Sequence, residues 1–309
     1  MRTIDPALFS PYEKDLLTGE PLSRYAFSLC GGPCAGLFRV ENSEMLGSLV
    51  RSSITAELPY KVLGGMTNIL VSDDGFDGIV LLNRRGSVSH TEQDDGSVIL
   101  SADSGALMAA VVRYCVENSI SGMEWAAGLP GTVGGAVYGN AGAFGSDIAA
   151  VFCSGSLMDE KGAVRSVQPR EMEFAYRDSI LKRQHGNSVL LRASFRLEKG
   201  QKALISAKGE SYKEKRRASQ PVGEHSLGSV FKNPEGESAG KLIQAAGLKG
   251  VSVGKAEVSM KHANFITTTE GATAADYHQL VKYVQNEVFE QFRVLLEPEI
   301  ELFGFGIAK

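Results

Sequence analysis

The stretch GLPGTVGGAVYGNAGAFG, residues 128–145, holds seven glycines, one proline and two aromatic rings. Glycine lets the backbone take positive φ and lets another molecule lie against the main chain, because no Cβ intervenes. Seven exceed the needs of a turn. The density fits a long loop wrapped on a ligand, its N–H groups forming a nest for phosphate oxygens. A second loop of similar character lies upstream in KVLGGMTNILVSDDGFDGIV, where Gly64, Gly65, Thr67 and Asn68 stand between two apolar strands. Two such loops suit one extended anionic ligand, such as a dinucleotide, gripped from two sides. Neither is a Rossmann fingerprint, which needs GxGxxG directly after a buried strand and opening a helix; the spacing differs and Pro130 interrupts it. No lysine follows at the GK[ST] spacing of a P-loop.

The other reactive side chains are dispersed. His90, His185, His225, His262 and His278 form no HExxH and no pair at ligand spacing on one helix, so no metal site is expected. Cys30, Cys34, Cys115 and Cys153 lack paired CxxC motifs and read as free thiols, mostly buried. The 309 residues carry a net charge of -4, with 43% hydrophobic and 22% charged residues, an ordinary globular balance. That charge argues against a nucleic-acid or membrane-surface binder, yet leaves room for a local basic pocket. No apolar run reaches membrane-spanning length, and MRTIDPALFSPYEKDLLTGE has no apolar leader core, so a cytoplasmic location is expected.

The elements that must position the loops follow from periodicity. YKVLGG, GIVLLN, SVILSAD, AAVFCSGSLMD and SVLLRASFRLEKG read as strands, and one helix, GALMAAVVRYCVENS, interrupts them with Leu107, Met108, Val111, Val112 and Cys115 on one face. After about residue 201 the texture turns helical: QKALISAKGESYKEKRRASQP, stopped by Pro221; SAGKLIQAAGLKG, closed by Gly247; and TAADYHQLVKYVQNEVFEQF. LLEPEIELFG reads as a closing strand. The class is α+β, in two or three lobes.

The segments VLGGMTNILVSDDGFDGIVL, GLPGTVGGAVYGNAGAFG, FAYRDSILK, GSVFKNP, AGKLIQAAGLKG, KHANFI and LEPEIELFG occur in the order found in the bacterial UDP-N-acetylenolpyruvoylglucosamine reductases, which the chain resembles from about residue 25 to residue 304. The resemblance implies a two-lobed FAD-binding module of the vanillyl-alcohol-oxidase (PCMH) type plus a C-terminal α+β substrate-binding domain. Its divisions are 1–85 (lobe 1, with an extension over 1–20), 86–205 (lobe 2), 206–296 (substrate domain) and a C-terminal strand, 297–309. It implies non-covalent FAD held by Gly64, Gly65, Met66, Thr67 and Asn68 of the first loop and by Gly128, Pro130, Gly131, Thr132, Gly134, Gly135, Asn140, Ala141, Gly142 and Gly145 of the second. NADPH would be the hydride donor and UDP-N-acetylglucosamine enolpyruvate the substrate, reduced to UDP-N-acetylmuramate for the cell wall, with no obligate protein partner. The short link in YRDSILKRQHGNSVLLRASF resembles the subclass without an inserted tyrosine loop.

By the same resemblance Ser229 is the proton donor, and Arg177 and Glu299 stabilise the enol-like intermediate. A guanidinium fork suits a growing carboxylate charge. Glu299 has three open roles: orienting the arginine, orienting a water, or donating a hydrogen bond while protonated. Arg217, Lys232, Asn233, Lys249 and His262 match substrate contacts. The chain departs from the family at Phe144, usually tyrosine, at Met66, and in AFSLCGGP, which lacks an arginine before its glycine pair. Two rival readings are an FAD-dependent oxidase or dehydrogenase of another sugar or alcohol, and a non-catalytic flavin-binding protein.

Overall fold

A computed structural model describes residues 1–184 and 188–305. His185, Gly186 and Asn187, in the short link on which the subclass reading rests, lie outside the described residues. The first sheet orders its strands Leu17–Pro21, Pro33–Val40, Phe76–Asn83, Tyr60–Leu63; the last three run parallel and the first is antiparallel to its neighbour. Parallel neighbours need a crossover. Helix α1 (Ser43–Thr55) carries the chain from Pro33–Val40 to Tyr60–Leu63, leaving the place between them for Phe76–Asn83, and buries Met45, Leu46, Leu49 and Val50 against Phe38, Ile79 and Leu81.

The second sheet is antiparallel, in the order Val164–Val167, Phe152–Met158, Val189–Lys199, Ser97–Asp103, Val88–Glu92, with Ile120–Ser121 paired to the end of the central strand. That central strand alternates buried Leu191, Ala193, Phe195 and Leu197 with exposed Arg192, Arg196 and Glu198, the period of two that a half-covered strand requires. Helices α2 (Met108–Glu117) and α3 (Val133–Tyr138) add Val111, Val112, Cys115, Val133 and Val137 to its core. Short helices α4 (Pro169–Met172) and α5 (Ile180–Arg183) flank the YRDS segment.

Helix α6 (Lys202–Ser219) then leads into a third sheet, His225–Ser229, Phe265–Thr268, Ala256–Val258, Ser252–Val253. Helices α7 (Ala239–Ala245) and α8 (Ala274–Phe292) pack against it, with Tyr277, Leu280, Val281, Val284 and Val288 of α8 buried. The chain ends by returning: Glu301–Phe303 pairs in parallel with Ile69–Val71, directly after the first glycine loop. That pairing sets Glu299 beside the loop, since Asn68 Nδ2 donates to the Glu299 carbonyl (3.1 Å) and the Glu301 N–H donates to the Asn68 carbonyl (2.9 Å).

The structure corrects two readings of the sequence. The first two-thirds hold more than one helix: α1 lies in SEMLGSLVRSSIT, and α3 lies inside the second glycine loop itself. Glycine and serine weaken the helical signal of α1; Gly47 sits where an added Cβ would lie 3.2 Å from Met158 Cε. The closing strand is also shorter than LLEPEIELFG suggests, covering only Glu301–Phe303.

Candidate active site

A cavity of about 730 Å³ opens between the three sheets, in the upper range of ligand pockets. Gly64, Gly65, Met66, Thr67 and Asn68 line it, as do Gly128, Pro130, Gly131, Thr132, Gly134, Gly135, Ala141 and Gly142. The two loops touch each other backbone to backbone. A Cβ on Gly64 would stand 2.3 Å from Thr132 Oγ1, and one on Gly65 would stand 2.7 Å from Gly131 Cα. Glycine is therefore required where the loops meet, independently of any ligand. The loops are also anchored: Thr132 caps α3 by accepting from Gly135 N–H (3.4 Å), and the N–H groups of Val133 and Gly134 donate to Ala106 and Ser104 carbonyls (2.9 and 2.7 Å).

Arg84, which sequence reasoning missed, organises the first loop. Its guanidinium donates to the carbonyls of Gly64 and Gly65 (both 3.0 Å) and to that of Tyr25. In a trans peptide the N–H points opposite the carbonyl, so the Gly65 and Met66 N–H groups face away from Arg84, and both residues line the cavity. Outward N–H groups and walls bare of Cβ fit a dinucleotide whose phosphates lie against the main chain.

Asn140 and Gly145 do not line the cavity. Asn140 is buried, donates to the Ala175 carbonyl (2.9 Å) and Asp147 Oδ2 (3.3 Å), and accepts from Ala149 N–H (3.0 Å), so it braces the loop from behind. Gly145, at φ +83°, turns the small hairpin between Gly142–Ala143 and Ser146–Asp147.

Arg177, Ser229 and Glu299 come from three separate segments, and all three line the cavity. Arg177 Nε donates to Glu299 Oε1 (2.9 Å) and Arg177 Nη2 to the Gly142 carbonyl (2.8 Å), tying the second glycine loop to the C-terminal segment. Arg177 takes φ +55°, Met66 +51° and Phe144 +54°. Such backbone costs about 1–3 kcal/mol per non-glycine residue and gathers at functional sites. Burial raises the Glu299 carboxyl above the ordinary carboxylate range, while the Arg177 charge and hydrogen bond, then Lys182 and Lys232, pull it back. Glu299 accepts from Arg177, the contact that orienting the arginine would use.

Ser229 closes the strand His225–Ser229 after Gly228, which sits at φ +75° beside a bulge in the pairing with Phe265–Thr268. The segment beyond Ser229 is clamped on both sides. Val230 N–H donates to the Asn264 carbonyl (2.8 Å) and Phe231 N–H to Asn264 Oδ1 (3.0 Å), while Asn264 Nδ2 returns a bond to the Phe231 carbonyl (2.8 Å). Opposite, Glu299 N–H donates to the Val230 carbonyl (2.8 Å) and Lys232 N–H to that of Glu297 (2.9 Å). Asn264, in KHANFI, thus fixes the serine it never touches.

None of the five expected substrate contacts lines the cavity. Arg217 is exposed, and its carbonyl accepts from Lys261 Nζ (2.5 Å). Lys232 pairs with Glu297 (2.6 Å), and Asn233 Oδ1 accepts from Ala239 N–H (3.1 Å) at the start of α7. His262 stacks edge-on against Phe265, accepts from Asn264 N–H (3.2 Å) and is pulled below the ordinary imidazole range, mainly by burial, with the Lys249 charge a lesser cause. Among the described residues, the cations that line the cavity are Lys61, Arg177, Lys182 and Arg216. Lys182 pairs with Glu301 (2.6 Å).

The sheets and the paired loops are those of a flavin-binding module with a third lobe closing over it. The FAD binding domain family matches residues 34–168, and the UDP-N-acetylenolpyruvoylglucosamine reductase C-terminal domain matches residues 220–303. The UDP-N-acetylenolpyruvoylglucosamine reductase of Latilactobacillus sakei is 37% identical over 93% of both chains, and that of Caldicellulosiruptor saccharolyticus 38% identical over 94% of this chain and 92% of its own. The crystal structure of the UDP-N-acetylenolpyruvylglucosamine reductase of Thermus caldophilus superposes with a TM-score of 0.75 at 33% identity, covering 93% of this chain and 98% of that one. The chain belongs to the UDP-N-acetylenolpyruvoylglucosamine reductase family.

Proposed function

We propose that the chain reduces UDP-N-acetylglucosamine enolpyruvate to UDP-N-acetylmuramate, with FAD held by the two glycine loops and NADPH as reductant, and that Arg177, Ser229 and Glu299 carry the chemistry. When bound, FAD supplies hydride transfer from NADPH to C3 of the enolpyruvyl double bond. Reduction there leaves an electron pair at C2, delocalised into the substrate carboxylate. The Ser229 hydroxyl donates its proton to C2, completing addition of one hydride and one proton, and solvent reprotonates the serine. A serine hydroxyl is a weak acid, so it serves only against a strongly basic carbon and in a fixed position. Asn264 supplies that fixity.

Arg177 presents its fork to the carboxylate as charge accumulates, and Glu299 keeps the fork aligned. Lys182, Lys61 and Arg216 add positive charge to a chain that is acidic overall, as a nucleoside diphosphate requires. We place the reaction in the cytoplasm; no described helix is long and apolar enough to cross a membrane. The observation that carries the reading is the meeting of Arg177, Ser229 and Glu299 around the cavity that both glycine loops line.

The test is optical. The purified protein should be yellow, bleach with NADPH without oxygen, and recolour on adding UDP-N-acetylglucosamine enolpyruvate. Recolouring by another sugar or alcohol acceptor alone would favour an oxidase or dehydrogenase. Failure to bleach would favour a non-catalytic flavoprotein.

A further inference from the structure

Phe144, on the second glycine loop, and Tyr212, on α6, stack nearly flat, ring centroids 4.3 Å apart with 12° between planes. The stack bridges the flavin lobe and the helix leading into the substrate lobe. Arg216, one turn beyond Tyr212, lays its guanidinium on Phe144, 5.1 Å from the centroid. Its Nε donates to the Ala127 carbonyl (3.1 Å), and its side chain runs over Gly128, where an added Cβ would stand 3.3 Å from Arg216 Cδ. Arg216 is 8% exposed, and its Nη2 is buried without a hydrogen-bond partner among the described residues. Burial and the nearby Arg177 charge both hold the Arg216 guanidinium below its ordinary range. Arg216 and Arg177 both line the cavity, and a buried guanidinium nitrogen without an acceptor calls for one from a ligand.

We propose that the Phe144–Tyr212 stack is a clasp that positions Arg216 to bind an anionic group of the substrate alongside Arg177. Tyr212 is a positioning residue, since it acts through Phe144 and Arg216. The ring face, not a hydroxyl, is what position 144 contributes, so phenylalanine serves there as tyrosine would. The clasp rests on the reductase reading above. Turnover by the unaltered protein tests that reading; the variants test the clasp.

Tyr212→Leu and Phe144→Leu should each raise KM for the enolpyruvyl nucleotide about 5- to 10-fold, with kcat within about twofold. The calorimetric Kd for UDP-N-acetylmuramate should weaken by a similar factor. Tyr212→Phe and Phe144→Tyr, which keep the stack, should match the parent. The double leucine variant should lose little beyond either single one, because both remove the same contact. Flavin content and melting temperature of each variant, measured alongside, should stay near the parent's. The proposal is overturned if Tyr212→Leu leaves KM and Kd unchanged. It is equally overturned if the leucine variants lose flavin or stability in place of substrate affinity, or if Tyr212→Phe is as impaired as Tyr212→Leu.

Discussion

The Arg177–Glu299 pair is held at 2.9 Å with the side chains 23% and 17% exposed. Replacing arginine with lysine keeps the charge but loses the planar fork that reaches both Glu299 and the Gly142 carbonyl. Arg177→Lys should lower kcat by about 10²-fold while leaving flavin bound, checked by steady-state kinetics and the visible spectrum. Glu299 carries a pH signature. Its folded-state affinity for a proton is raised by burial, so its contribution to stability is complete below the ordinary carboxylate pKa and is lost as pH rises through the raised value. Glu299→Gln cannot ionise, so its melting temperature should climb relative to the parent's over that rise. A constant difference across the range would contradict the assignment. The thiols offer a control on burial: it pushes Cys115 up to about 12 and Cys30 and Cys34 up to about 11, whereas Cys153 is half-buried. A thiol reagent at pH 8 should label Cys153 well before the other three, as peptide mapping would report.

At the scale of elements, the site depends on a residue outside it, Arg84. Arg84→Met would leave the Gly64 and Gly65 carbonyls unpaired, and a buried unsatisfied group costs about 1–3 kcal/mol, so FAD affinity should fall about 10- to 100-fold by fluorescence titration. Much of this scaffold is legible in the sequence. The strand at 189–199 declares itself through alternation, and α8 through the stripe from Tyr277 to Val288, because each buries one face against a single partner. What stays hidden has a physical cause. In α6 the buried positions are Ile205, Gly209 and Arg216, too sparse and too polar to show phase, and Arg216 and Arg217 are neighbours about 100° apart around the helix. Composition places a cation in KRRASQP, but only packing on Ala127 and Phe144 makes it Arg216 and turns Arg217 to solvent. Arg84 escapes for a similar reason, since its partners are carbonyls, which leave no mark on a sequence.

The whole molecule gathers around the first glycine loop, which touches lobe 2 through Thr132 and Gly131 and the C-terminal segment through the returning strand at 301–303 and Glu299 beside Asn68. A second junction pins the third lobe. Asp73 of lobe 1 accepts from Ala274 and Ala275 N–H (both 2.9 Å), capping α8 from outside the helix. Asp73→Ala should cost about 1 kcal/mol, a typical cap loss, seen as a small drop in melting temperature, with less cost for Asp73→Asn. Motifs spread along the chain, from the two glycine loops to YRDS, GSVFKNP and LEPEIELFG, contribute residues to one cavity. The most direct measurement separates reduction from reoxidation in Ser229→Ala by anaerobic stopped flow. Bleaching by NADPH should keep its parental rate, and reoxidation by UDP-N-acetylglucosamine enolpyruvate should slow by about 10²- to 10⁴-fold. Reoxidation at the parental rate would contradict the role of Ser229, and with it the account of the cavity as the place where hydride and proton meet.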